Sequence, residues 1–224
     1  MAPTPANTAD AFVARLDELR AQQAPDGVPM RAIFALAKEL IGLPTSEIEQ
    51  LLARPDHESR VGAVSVMDWQ ARAKKTPVAQ RAALYDLYVR RHDLIDTWDL
   101  VDRAAPHVVG GYLVDKPRDQ LYVFAASEAP MERRTAIVAT WFFIRLDDLE
   151  DTFAIAEILA HDPDDLVQKA VGGWVREAGK RDEARLGAYL DAFAATMPRT
   201  ALRYAVEKLP PDRRAHYLAR RGST

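Results

Sequence analysis

The feature that most constrains the fold is a helical spacing of apolar residues that prolines interrupt at short intervals. Between the interruptions, apolar residues recur at i, i+3, i+4 and i+7, and no sustained strand-like alternation occurs. A first helix should start near Thr8, because Thr8 and Asp10 are good caps for the apolar positions that follow. Helix breaks are expected at Pro25–Gly27, Pro44, Pro55, Pro77, Pro117, Pro130, Pro163 and Pro198. The sequence therefore predicts an all-α fold of about a dozen short helices.

A basic residue followed by small and aliphatic residues recurs along the chain. It occurs at Arg60 (RVGAV), Arg134 (RTAIV), Lys169 (KAVGG) and Arg203 (RYAVE), at intervals of 74, 35 and 34 residues. Arg103 (RAAP) falls between the first two, somewhat late. A period of about 36 residues suits a two-helix repeat of the HEAT class. The alternative is a set of alanine-rich helices with surface arginines and no true repeat.

The charge balance limits which partners the chain can have. It carries 30 basic and 33 acidic residues, a net charge of −3, so a nucleic-acid binder must concentrate its positive charge on one face. Residues 130–224 hold 15 basic and 15 acidic side chains, so neither half is a basic domain. The acidic residues cluster in connections, at 147–151 and 162–165, whereas the repeated basic residues lie inside helices. A stacked solenoid could thus present a basic concave face and an acidic rim.

Several classes of protein are excluded by missing residues and motifs. The absence of cysteine rules out disulfides, thiolate metal sites and thiol catalysis, and fits a reducing cytoplasm. The histidines form no HExxH motif, and the chain has no GxSxG elbow, phosphate loop or GxGxxG. The longest mostly apolar run, 135–144, is shorter than the roughly 20 residues of a membrane helix, and the N-terminus shows no secretory signal. Any chemistry would rest on carboxylates, arginines and aromatic rings.

The most informative segment is DLIDTWDLVDRAAPHVVGGYL, residues 93–113. Trp98 and Asp102 are four residues apart and should project from one helix face. Pro106 lies four residues after Asp102, cannot donate a hydrogen bond to its carbonyl, and should bend the helix there. A bend at a carboxylate with a neighbouring indole indicates a site. The alternative is an aspartate paired with Arg103 or another arginine, next to an ordinary core tryptophan.

Two later segments are further candidates. Arg133 and Arg134 begin a helix in MERRTAIVATWFFIR, and Arg134 is the recurrent basic position that could hold a phosphate. LVQKAVGGWVREAGKRD carries Lys169, Trp174 and the pair Gly172–Gly173, whose presence inside a helix calls for close packing or a ligand. The alternatives are a solvated arginine edge and a core tryptophan.

Together the segments resemble the bacterial DNA alkylation repair proteins, the AlkD-type HEAT-like repeat DNA glycosylases. The resemblance covers roughly residues 28–218 and rests on FALAKELIGLP, HESRVGAVSVM, TWDLVDRAAPHVVGGYL, ERRTAIVAT, QKAVGGWVREAGKRD and MPRTALRYAVEKLP. It implies a right-handed superhelix of about six helical pairs that cups duplex DNA. The implied activity is excision of cationic N3- and N7-alkylated purines without metal or cofactor. We further expect a monomer in the bacterial cytoplasm or nucleoid, a single domain over 1–224, and disordered ends at 1–7 and 220–224.

The resemblance also assigns roles to individual residues. It implies that Trp98 and Asp102 are catalytic and that Arg134 contacts DNA. The remaining residues expected to contact DNA are Arg133, Lys169, Trp174 and Arg203. In the family a DNA-facing tryptophan follows a single glycine, whereas here that position is Gly173 and Trp174 comes one residue later. This departure leaves open a second function, a non-catalytic HEAT-repeat protein that binds DNA structures or a protein partner.

Overall fold

The protein, described by a computed structural model over residues 7–23 and 27–220, is built from α-helices. No β-strand occurs within these ranges, so the predicted all-α fold is confirmed. The predicted disordered ends lie outside the described residues except at Asn7 and at Arg220, which forms an ion pair with Asp191. None of the described helices has the length and apolar character needed to cross a membrane.

The described residues form two compact units that divide between Tyr112 and Leu113. The helices of the first unit are α1 (Ala9–Gln23), α2 (Met30–Glu39), α3 (Thr45–Leu52), α4 (His57–Arg72), α5 (Val78–Arg90) and α6 (Trp98–Ala104), with a 3₁₀ turn at His92–Leu94 and a π-helical turn at Ala105–Gly110. A short α7 (Gly111–Leu113) lies at the division. The second unit contains α8 (Asp119–Ala125), α9 (Pro130–Ala139), α10 (Trp141–Ile144), α11 (Glu150–Ile158), α12 (Asp165–Gly179), α13 (Glu183–Phe193), α14 (Arg199–Ala205) and α15 (Pro211–Ala219).

Each unit contains a row of neighbouring helices. In the first unit α2 packs on α4 and α4 on α6, and in the second α9 packs on α12 and α12 on α14. The other helices pair with members of these rows, as α3 does with α4 and α8 with α9. This pairing of helices along a row is consistent with the α-α superhelical repeat fold predicted from the sequence.

Local signals in the sequence explain where the helices begin. The Thr8 hydroxyl accepts a hydrogen bond from the Ala11 amide at the start of α1, as expected for its predicted capping role. Asp56, Asp164 and Asp182 cap α4, α12 and α13 respectively through their carboxylates. Several of the predicted breaks act as helix starts, because a proline that lacks an N–H is tolerated at the first positions of a helix.

The paired glycines of α12 have different surroundings. A Cβ built on Gly172 would lie 2.7 Å from the Tyr204 Cβ and would also meet the Ala201 carbonyl, so this glycine permits the close approach of α14. Apart from the adjacent residues and the α12 backbone, a Cβ on Gly173 would meet no atom within 4 Å in the part of the chain that the structure describes. The expected close packing is therefore confirmed at Gly172 alone.

We expect this difference to appear in stability. Gly172→Ala should destabilise the protein by about 1–3 kcal/mol through overpacking against α14. Gly173→Ala is the matched control and should stabilise by about 1 kcal/mol, because alanine is the better helix former and has room. Urea unfolding followed by circular dichroism measures both, and equal changes for the two variants would contradict the packing described.

Candidate functional site

The predicted face of Trp98 and Asp102 is present at the start of α6. Both residues belong to the helix Trp98–Ala104, four positions apart. The Trp98 side chain is 50% exposed, and Asp102 is also exposed. An ordinary core tryptophan would be buried, so the core interpretation of Trp98 is wrong.

The helix changes its winding just after Asp102. Pro106 lacks an N–H, so the Asp102 carbonyl has no α-helical hydrogen bond from that residue. The chain continues as a π-helical turn over Ala105–Gly110, where the amide of Gly111 donates to the Pro106 carbonyl. The expected disturbance at Pro106 thus takes the form of a wider turn, and π-turns inside helices are frequent at functional sites.

Trp98 and Asp102 line an open cleft of about 670 Å³ within the first unit. Helices α2, α4 and α6 supply its walls, which are formed by Met30, Phe34, His57, Val61, Trp98, Asp99, Asp102 and Arg103. Met30 is 41% exposed, so apolar surface is available to a ligand at this mouth. The His57 Nε2 atom lies 2.8 Å from Asp99 Oδ2, which links the start of α4 to α6. The cleft therefore combines apolar walls with a solvent-accessible carboxylate.

Arg103, the residue after Asp102, ties α6 to the neighbouring helices. Its guanidinium lies 3.1 Å from the fully buried Asp68 carboxylate and donates to the Ser65 hydroxyl at 3.2 Å. The same group lies over the Phe34 ring, 4.3 Å from its centroid, and 5.2 Å from that of Trp69. These contacts fix the turn of α6 that carries Asp102 against α2 and α4.

The charge of Arg103 is thereby balanced inside the protein. Burial raises the pKa of Asp68 even though Arg103 and Arg72 both favour its ionised form. Burial likewise lowers the pKa of Arg103, against the opposing effect of Asp68. Arg103 thus faces Asp68, and the alternative of an Asp102 that pairs with Arg103 or another arginine stays a prediction.

The predicted cations of the second unit share one position in successive helices. Arg134, Lys169 and Arg203 are each the fifth residue of their helix, in α9, α12 and α14 respectively. Because α12 packs on both α9 and α14, the three residues occupy the same turn of a continuous row. Asp102 is likewise the fifth residue of α6, in the first unit. Three members of the repeat inferred from the sequence thus share one helix register, whereas Arg60 is the fourth residue of α4 and Arg103 the sixth residue of α6.

These three cations differ in their surroundings. Arg134 is buried, 7% exposed, and donates a hydrogen bond to the Leu166 carbonyl. Lys169 forms an ion pair with Asp165 at 2.5 Å, which raises the pKa of the lysine. Arg203 is exposed. Of the three, Arg203 and Lys169 are the more accessible to a phosphate.

The other two predicted contacts lie in different environments. Arg133 binds Asp162 at 2.6 and 3.1 Å and also donates to the carbonyls of Ser127 and Glu128, so it holds the connection before α9 in place. Trp174 is half-buried, one position beyond the open Gly173. The roles assigned to these two residues remain predictions.

Sequence reasoning did not identify several residues of the cleft. Met30 and Phe34 lie four apart on α2, a spacing that predicts a shared face but not what this face contacts. His57 and Asp68 come from α4, more than thirty residues before their partners on α6. Only the packing of the three helices brings these side chains together.

The buried pair should be important for stability. Arg103→Met removes a positive charge that faces the buried Asp68 carboxylate. The unfolding free energy should therefore fall by about 3 kcal/mol. The double variant Asp68→Asn, Arg103→Met should lose less than the single change, because it removes both buried charges. The control is Arg90→Met, which breaks an exposed pair with Glu49 and should cost less than about 1 kcal/mol. Urea unfolding tests these values, and equal losses for Arg103→Met and Arg90→Met would contradict the assignment.

Comparison with known proteins agrees with the helical architecture. A family model described as "DNA alkylation repair enzyme" matches residues 6–209. Among solved structures, one titled "Predicted DNA alkylation repair enzyme from Enterococcus faecalis" is similar with a TM-score of 0.63 and 17% identity, over 92% of this chain and 96% of the other. At that identity the likeness supports the fold alone. No curated protein matches the chain significantly. Since the family model spans nearly the whole sequence, the chain belongs to the DNA alkylation repair enzyme family.

Proposed function

We propose that the protein is a DNA glycosylase that excises cationic N3- and N7-alkylated purines from duplex DNA. The observation that carries the proposal is the exposed pair of Trp98 and Asp102 in an open, largely apolar cleft. A helical scaffold alone has no need of an exposed indole beside a carboxylate. Family membership supports repair of alkylated DNA, and the cleft chemistry supports cleavage of the N-glycosyl bond.

The proposed chemistry follows from the charge of the lesion. Alkylation at N3 or N7 makes the purine cationic, so it can leave with the bonding electron pair without a general acid. The C1′–N bond breaks, the base becomes neutral, and positive charge develops on the sugar. Asp102 would stabilise that oxocarbenium-like charge and position the attacking water, whose proton passes to solvent. The face of Trp98 would pack on the deoxyribose and favour the cation. The proposal requires neither metal nor cofactor.

The second unit would hold the DNA backbone. Lys169 and Arg203 would contact phosphates, with Lys169 exchanging Asp165 for a phosphate oxygen. The buried Arg134 would have to leave the Leu166 carbonyl to do the same. Arg133 and Trp174 complete the set of predicted contacts, although Arg133 would first have to leave Asp162. Such a repair activity would act on double-stranded DNA in the bacterial cytoplasm, at the nucleoid, and we expect the enzyme to work as a monomer.

Replacement of the carboxylate tests the proposal directly. Asp102→Asn should slow excision of 7-methylguanine by about 100-fold or more, because the charge that stabilises the sugar cation is lost. Binding of DNA should be retained. Asp86→Asn removes the same charge from an exposed site on α5 and is the matched control. Single-turnover release of the base from a duplex with one lesion measures the effect, and an unchanged rate for Asp102→Asn would remove Asp102 from the mechanism.

The phosphate contacts predict a change in salt dependence. Lys169→Gln should reduce the slope of log affinity against log salt by about 0.9, the value for loss of one phosphate contact. Lys180→Gln is the control, because Lys180 directly follows the last residue of α12. It forms an ion pair with Glu177, just as Lys169 does with Asp165. Fluorescence anisotropy with labelled duplex DNA at several salt concentrations gives the slopes. Identical slopes for both variants would contradict a specific role for Lys169.

A second candidate function is a non-catalytic HEAT-repeat protein that binds DNA structures or a protein partner. The glycine at position 173 favours this second function, because the family resemblance implies a DNA-facing tryptophan at that position. Incubation with N-methylated plasmid followed by alkali cleavage distinguishes the two. Salt-sensitive binding without abasic sites would favour a DNA-binding scaffold, and lack of DNA affinity would favour a protein partner.

A further inference from the structure

An exposed aromatic residue accompanies the row of cations in the second unit. Tyr204, the residue after Arg203 on α14, is 39% exposed, which is unusual for a large side chain placed at a helix–helix contact. Its Cβ lies where α14 packs against Gly172, so the backbone of α12 fixes the base of the side chain. The ring therefore starts from a rigid position.

The surface next to Tyr204 has a cation and an empty space. Lys169 and Gly173 are four residues apart on α12 and lie on one helix face. Tyr204 packs against Gly172, which lies three residues after Lys169 on α12, so the tyrosine and the lysine belong to neighbouring turns of the two packed helices. Apart from its chain neighbours and the α12 backbone, no atom of the described residues lies within 4 Å of a Cβ built on Gly173, so an approaching ligand has room at this point.

This combination fits one nucleotide of a DNA strand. Cations next to an exposed ring are the features with which proteins hold phosphate and pack against a sugar or base. A glycine on the same face lets the ligand approach the protein backbone closely. We propose that Tyr204 and the open Gly173 position form a nucleotide subsite, in which Lys169 and Arg203 hold the phosphate and the Tyr204 ring packs against the adjoining sugar. The inference rests on the proposed function, because it assigns the occupant as DNA.

Affinity for a labelled undamaged duplex, measured by fluorescence anisotropy, tests the subsite. Tyr204→Ala should weaken binding about tenfold, the loss expected for one aromatic contact with a nucleotide. Tyr204→Phe should retain the wild-type affinity, because the ring and not the hydroxyl makes the contact. Ile158→Ala is the control, since it shortens another exposed apolar side chain, on α11, and should leave affinity unchanged.

Filling the open position is an independent test. Gly173→Leu should also weaken binding about tenfold, because the side chain would keep the strand from the α12 backbone. It should not lower the unfolding free energy, since the Cβ position is open and leucine is a better helix former than glycine. Wild-type affinity in both Tyr204→Ala and Gly173→Leu would overturn the subsite and leave the proposed function intact. Failure of the wild-type protein to bind duplex DNA would overturn the proposed function, and the subsite with it.

Discussion

The ion pair between Arg103 and Asp68 holds in place the turn of α6 that carries Asp102, the carboxylate of the proposed reaction. Asp68 is fully buried, and Arg103 reaches it across the ring of Phe34. Each charge compensates the other inside the protein, and the neighbouring Asp102 is exposed and lines the cleft. Breaking a buried pair leaves an uncompensated charge, so this contact strongly constrains the position of α6. The regular helix α6 ends at Ala104, two residues after Asp102, and the chain continues as the π-helical turn that contains Pro106.

Side chains of opposite charge occupy the same position, the fifth residue, in different helices of the protein. The fifth residue is basic in α9, α12 and α14 and acidic in α6. Stacked helical repeats bring corresponding turns of neighbouring helices side by side, so the side chain at this position sets the local charge of the row. In the proposed enzyme, the acidic position acts on the sugar and the basic positions hold the phosphates. The net charge of −3 is compatible with this arrangement, because many acidic residues pair with arginines elsewhere on the chain.

Local features of the chain were predictable from the sequence, and long-range contacts were not. The helical period, the Thr8 cap and the shared face of Trp98 and Asp102 depend on neighbouring residues, so spacing predicts them. The partner of Arg103 depends on the packing of α6 against α4, which no spacing reveals. The same limit applies to the glycine pair: both residues looked alike in the sequence, and only the position of α14 separates the packed Gly172 from the open Gly173.

The most direct test of the account is to identify the product released from a duplex that carries a single 7-methylguanine. Mass spectrometry of the small-molecule fraction, combined with counting of alkali-sensitive sites in the DNA, gives both products of the same reaction. The account predicts free 7-methylguanine and one abasic site for each base released. Intact lesions in DNA that the protein nevertheless binds would contradict it.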